Sequence, residues 1–131
     1  MQLTGGCFCG AIRYSIRKPL RDARSCHCSQ CRKAFSAQAS AFALVEPDSF
    51  TWTDGQHLLA SYLNQENTGL QFCSRCGSTL CGVHGDEVFG VTLGCLDDDA
   101  DVVIERHIYV ASKAAWEKLP EDIEAFDEDK P

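Results

Sequence analysis

Nine cysteines in a chain of 131 residues constrain this sequence more than any other feature. They stand at positions 7, 9, 26, 28, 31, 73, 76, 81 and 95, and seven of them fall into three tight C-x-C or C-x-x-C groups. Such close neighbours are poorly placed to bridge each other as structural disulfides, but they converge readily on one small ion. The opening residues, Met1 to Cys7, have neither the basic nor the apolar region of a secretory signal. No apolar run approaches the roughly 18 residues needed to cross a bilayer. A cytoplasmic chain is therefore expected, and in a reducing compartment this density of thiols points to metal binding or thiol chemistry.

The first and third groups read as one site. In Gly6-Cys7-Phe8-Cys9-Gly10 and Phe72-Cys73-Ser74-Arg75-Cys76-Gly77, a glycine follows the second cysteine of each pair. A chain doubling back around a metal needs positive φ at that point, so that backbone N–H groups face the sulfurs. A closed structural zinc takes four soft donors, commonly as two pairs from separate segments. Cys7, Cys9, Cys73 and Cys76 are accordingly assigned to one structural Zn2+. A redox dithiol is the competing reading of Cys73 and Cys76, but the surroundings lack the βαβ pattern of the thioredoxin kind.

The second group, Ser25-Cys26-His27-Cys28-Ser29-Gln30-Cys31-Arg32, offers three sulfurs and no evident fourth ligand. His27 would need a sharp backbone fold to share their metal, and His57, His84 and His107 are donors only from a distance. Three protein ligands with an open fourth position is the arrangement of a catalytic zinc. Cys26, Cys28 and Cys31 are expected to hold a second Zn2+, unless a hidden side chain closes that site as well. Three thiolates make the ion a weak Lewis acid but keep a bound thiolate nucleophilic, which suits thiol addition to an aldehyde or its reverse. No H-E-x-x-H, nucleophile elbow or phosphate loop appears. Cys81 and Cys95 flank apolar residues and read as small buried hydrophobes.

The fold expected is mainly β and antiparallel. Ile12, Tyr14 and Ile16 alternate with Arg13, Ser15 and Arg17, the period-two pattern of a half-buried strand. Similar runs lie at Ala39–Val45, Leu58–Leu63, Val88–Leu93 and Val102–Val110, separated by Gly and Pro. A helical turn is expected from Cys28 through Cys31 to Phe35. A short C-terminal helix should start at Ser112, turn Trp116 and Leu119 inward and stop at Pro120. Glu105 and His107 share a strand face, with Arg106 opposite; an acid–base pair near the metal is one reading of them, and a satisfied cross-strand pair is the one expected. One domain, residues 1–120, is expected to precede an acidic solvated tail, residues 121–131.

Net charge is −7, and thiolates would deepen it. With no basic stripe, nucleic acid is not an expected partner.

Taken together, these groups resemble the family of glutathione-dependent formaldehyde-activating enzymes, also called GFA or centromere-protein-V-like. The likeness rests on Gly6–Ile12, Cys26–Arg32 and Phe72–Gly77, and the stretch His107–Trp116 is similar to the family's closing strand and helix. It covers roughly residues 4 to 118. The resemblance implies an Mss4-like β fold pinned by two zinc ions, held as assigned above. It implies a carbon–sulfur lyase that condenses formaldehyde with glutathione, its partners being a small thiol and an aldehyde. The chain is close to the family's shared core alone, so the thiol is left open. Arg13, Arg24, Arg32, Lys33, Arg106 and Lys113 are available for a substrate's carboxylates. The competing class is a zinc-stapled β module that binds another protein, with both ions structural.

Overall fold

The computed structural model describes residues 2–129. In chain order the strands are β1 (Leu3–Gly6), β2 (Arg13–Ile16), β3 (Arg21–Cys26), β4 (Phe42–Leu44), β5 (Phe50–Asp54), β6 (Leu59–Leu63), β7 (Thr68–Cys73), β8 (Thr79–His84), β9 (Glu87–Thr92), β10 (Arg106–Ile108) and β11 (Glu124–Ala125). One α-helix, α1 (Ser29–Phe35), follows β3, and four short 3-10 turns complete the described elements. The mainly β reading holds. The chain divides into two compact units, one running up to Arg21 and resuming over Ala43–Val102, the other formed by Asp22–Phe42 and the residues from Val103 onward.

The first unit carries two sets of antiparallel strands. In the smaller, β2 lies between β1 and β5, pairing Leu3 with Ile16 on one side and Tyr14 with Trp52 on the other. Ile12, Tyr14 and Ile16 are all buried, as their spacing predicts; Ser15, on the alternate set of positions, is buried too. The Tyr14 ring stacks on Phe50 with centroids 5.0 Å apart and meets Trp52 edge-on at 5.9 Å, a favourable aromatic geometry. The larger set is a meander in which β7 pairs with β6 and β8, and β8 with β9. Leu80, Cys81, Val83 and Val91 form its interior, with Ala43 and Val45 beside them in the core of the same unit.

The second unit departs from the antiparallel expectation. β10 pairs in parallel with β3, Ile108 opposite Cys26, and in parallel with β11, His107 opposite Ala125. The acidic segment read as a solvated tail thus supplies a strand, although both its residues stay exposed. Arg106 is buried on β10, its guanidinium 3.3 Å from Asp22 and 3.7 Å from Glu105. Glu105 therefore pairs with its neighbour Arg106 and not with His107.

The short C-terminal helix is a correction. Among the described residues, 110–112 form only a 3-10 turn, entered from Tyr109 in the left-handed region (φ 56°) and left through Lys113 at ψ 143°. Lys113 Nζ then bonds the carbonyls of Ala114 (3.1 Å) and Glu117 (2.6 Å), taking acceptors that a helix would have used. Trp116 is 74% exposed, so the apolar stripe that would pay for two turns of helix is missing.

Gly55 fixes the turn after β5. Its φ is +71°, and a Cβ there would run into the Ala11 carbonyl just beyond the first cysteine pair. Gly55→Ala should cost about 2 kcal/mol or more, from left-handed strain plus that clash. Urea unfolding measures it, and an unchanged midpoint would contradict this geometry.

Candidate metal centres

Two hairpin turns of the first unit deliver the first sulfur set. Cys7 and Cys9 occupy the turn joining β1 to β2, while Cys73 closes β7 and Cys76 stands in the turn before β8. The turns are built alike. Gly10 N–H donates to Cys7 O at 3.0 Å, and Gly77 N–H donates to Cys73 O at 2.8 Å. Both glycines sit at positive φ, +82° and +83°, as the doubling-back argument requires. Backbone amides also point at sulfur: Ile12 N–H lies 3.3 Å from Cys7 Sγ and Arg75 N–H lies 3.4 Å from Cys73 Sγ.

The four sulfurs all lie within 4.8 Å of one another. Cys7 to Cys9 is 3.6 Å and Cys9 to Cys73 is 4.0 Å. A tetrahedral zinc with 2.3 Å arms has edges of about 3.8 Å, so the spacing fits such an ion. It is far beyond the roughly 2.0 Å of a disulfide, and all nine cysteines are free. Burial opposes ionisation of Cys76, yet the Ser78 hydroxyl and N–H and neighbouring donors bring it down to about 5. Burial likewise opposes Cys7, which the Ile12 amide and the thiols of Cys9 and Cys73 hold below the ordinary thiol value.

Ser78 went unnoticed in the sequence. Its hydroxyl accepts from Phe8 N–H at 2.8 Å and lies 3.4 Å from Cys76 Sγ, so one side chain joins both turns. A serine directly after C-x-x-C-G was the available signal.

The second set lies in the second unit, where a strand end meets a helix start. Cys26 is the last residue of β3, and the Ser40 side chain and backbone grip it: Cys26 N–H donates to Ser40 Oγ at 3.1 Å and Ser40 N–H donates to Cys26 O at 3.0 Å. Cys28 is the N-cap of α1 at φ −64°, ψ 156°, and its sulfur accepts from Cys31 N–H at 3.3 Å. The helical turn expected through Cys31 to Phe35 is thus α1, capped by a ligand candidate. The sulfurs of Cys26, Cys28 and Cys31 lie within 4.8 Å of one another. Among the described residues no fourth His, Cys, Asp or Glu atom joins this set. Hydrogen bonding from Cys31 brings Cys26 down to about 6 despite burial, and the same bond drives Cys31 strongly up. Each set could hold a metal ion.

The histidines do not join either set. His27 is fully buried, with Nε2 2.7 Å from His107 Nδ1 and Nδ1 3.4 Å from Glu117 Oε1. Burial lowers both His27 and His107. His84 Nδ1 is 2.9 Å from Thr68 Oγ1, and His57 is exposed. Cys81 is buried, its thiol pushed up to about 12 by desolvation, whereas Cys95 is only half-buried.

Most of the cations considered for carboxylates are engaged. Arg13 pairs with Asp97, Arg24 with Asp22 at 3.8 Å, Arg106 with Asp22 and Glu105, and Lys113 with backbone carbonyls. Arg32 and Lys33 follow Cys31 on α1, and Arg32 Nε is buried with no hydrogen-bond partner.

Known proteins with these features were found by sequence and by structure. The chain is 29% identical, over 130 residues, to a protein of Halomonas elongata named as a glutathione-dependent formaldehyde-activating enzyme, that activity being itself inferred. The alignment covers 91% of this chain and 82% of the relative. It is similar in structure to a crystallised Rhodobacter sphaeroides protein, with a TM-score of 0.57 and 26% identity over 73% of this chain and 89% of that one. The family profile described as GFA, glutathione-dependent formaldehyde-activating enzyme, matches residues 2–112 and so takes in both sulfur sets. This chain belongs to the GFA family.

Proposed function

We propose that this protein is a zinc-dependent enzyme of the carbon–sulfur lyase type, which adds a small, glutathione-like thiol to an aldehyde such as formaldehyde, or reverses that addition. The observation that carries the reading is the contrast between four converging sulfurs in one unit and three in the other. Cys7, Cys9, Cys73 and Cys76 hold a structural zinc. Cys26, Cys28 and Cys31 hold the reactive one, with its fourth position left to water or substrate. The family and the name of the Halomonas elongata relative support the substrate class.

When bound, zinc in a three-thiolate set favours the ionised form of a substrate thiol while leaving its sulfur nucleophilic. The reaction forms one bond, from substrate sulfur to the carbonyl carbon. The carbonyl π pair moves to oxygen, and the proton lost by the thiol is balanced by one gained at that oxygen. The chain's own groups hold the geometry. Ser40 fixes Cys26, the α1 N-cap fixes Cys28, and the first turn of α1 presents Cys31. Arg32 and Lys33, next along that helix, supply cations for the carboxylates of a glutathione-like substrate. The free thiols fit a reducing, cytoplasmic setting. No helix among the described residues is long and apolar enough to cross a membrane.

Cys28→Ser should yield a folded protein with one zinc per chain and thiol–aldehyde adduct formation at least about a hundredfold slower. Cys73→Ser should lose solubility, because structural zinc supplies folding energy outright. Metal content, circular dichroism and adduct formation by NMR check both; identical behaviour of the two variants would mean that both ions are structural, as in a protein-binding module. Ser78→Ala removes a half-buried acceptor beside the first set and should destabilise the zinc-loaded protein by about 1 kcal/mol in urea without changing the zinc count.

A further inference from the structure

His27 is a side chain that the reaction above leaves without a task. In sequence it separates Cys26 from Cys28, and it is fully buried. Both of its nitrogens face other partners, His107 at 2.7 Å and Glu117 at 3.4 Å. The His27 and His107 rings lie 4.9 Å apart at 35°. His27 Nδ1 and Glu117 Oε1 are both buried, neither makes a hydrogen bond, and they lie 3.4 Å apart. Two polar atoms shut away from water in this manner would each be costly alone, so the pair is held together by desolvation as well as attraction.

We propose that His27 is a positioning residue for the three-sulfur site, and that Glu117 and His107 orient it. The inference rests on the reading of Cys26, Cys28 and Cys31 as metal ligands. Cys26 ends a strand and Cys28 is extended, so successive side chains alternate in direction. The sulfurs converge on one side of the backbone while the imidazole is anchored on the other. The same backbone is held at His27 N–H, which donates to Ile108 O at 2.9 Å. A rotation that moved Cys26 or Cys28 away from its partners would therefore have to pull the ring out of both contacts.

Glu117 Oε1 faces His27 Nδ1 at 3.4 Å without closing a hydrogen bond. In the proposed arrangement the proton of His27 lies on Nδ1, toward that carboxylate oxygen, and Nε2 accepts from His107 Nδ1–H. What the site requires is thus an acceptor at 117 and a donor at the Nδ1 position of 107, not simply bulk at either place.

The test compares Glu117→Ala with Glu117→Gln, and His107→Leu with His107→Asn, each loaded with zinc at both sites. Chelator competition reads the affinity for each ion, and cobalt substitution reads the ligand field at the second set. Glu117→Ala and His107→Leu should weaken the second ion by about 10–100-fold and shift its cobalt bands, leaving the first ion in place. Glu117→Gln and His107→Asn keep an acceptor and a donor and should restore most of the loss. Native affinity and native cobalt bands in the Ala and Leu variants, or no difference between Leu and Asn, would overturn the proposal. Should those two variants fail to fold, His107→Asn against His107→Gln decides. Asn places its amide near Nδ1 and Gln near Nε2, so equal behaviour of the two overturns it. A native chain that binds a single ion would overturn the metal reading along with it, whereas two ions bound identically in every variant would remove only the role of His27.

Discussion

The convergence of four sulfurs on one point is the constraint from which the first unit is built. Two hairpin turns bring Cys7, Cys9, Cys73 and Cys76 within 4.8 Å, with Cys73 wholly buried. Thiols are weak hydrogen-bond donors and weak acceptors, so four of them packed together gain little from each other. Four thiolates without a cation would repel strongly at this range. The backbone is nonetheless shaped in detail for that cluster: matched glycines at positive φ, matched N–H donors to the first cysteine's carbonyl, and amides aimed at two of the sulfurs. Such preparation suits sulfur bearing negative charge around a small positive ion, where backbone N–H groups offset excess charge.

The second set uses different materials. It has no paired hairpins, only a strand end, one extended residue and the first turn of a seven-residue helix. Three thiolates exceed a divalent cation by one negative charge and four exceed it by two. Fewer sulfurs leave room for a further anionic donor, and that is the physical distinction between a closed site and one able to take a substrate thiol. The groups that steady the trio, Ser40 on Cys26 and the buried His27 with its two partners, come from the same unit but from distant points in the chain.

How much of this was legible in the sequence follows from the range of each interaction. The cysteine groups and the glycines after them are local, and the structure brings together both sets named from spacing alone. β2 was legible because its alternation is strict; β6 and β9 matched within a residue at each end. β3, with Asp22 at φ 56° and the sequence Arg21-Asp22-Ala23-Arg24, shows no apolar period to read. β7 and β8 carry Thr and Gly, and β7 also Gln, at positions where hydrogen bonding along the meander, not apolar pattern, decides pairing. The parallel alignment of β10 with β3 joins segments about 80 positions apart, and no local signal encodes it. The same is true of the His27–His107 contact. The C-terminal helix failed for another reason: Lys113 chose the backbone carbonyls over solvent, an outcome that helix propensity does not consider.

Loop closure explains why the two sets should differ in what they do for the fold. An ion shared by Cys9 and Cys73 closes a stretch of 64 positions, and the entropy of closing a loop rises as (3/2)RT ln n, about 4 kcal/mol at that length. Once the ion is bound, that entropy has been removed from the unfolded chain's advantage, in the way a long-range disulfide removes it. Cys26, Cys28 and Cys31 are separated by only two and three positions, and the same expression gives roughly 1 kcal/mol. An ion there restrains little that β3 and α1 do not already restrain. On the reading proposed above, it can therefore exchange a ligand without endangering the fold, the freedom that a site binding and releasing substrate must have. Each sulfur set is drawn wholly from one compact unit.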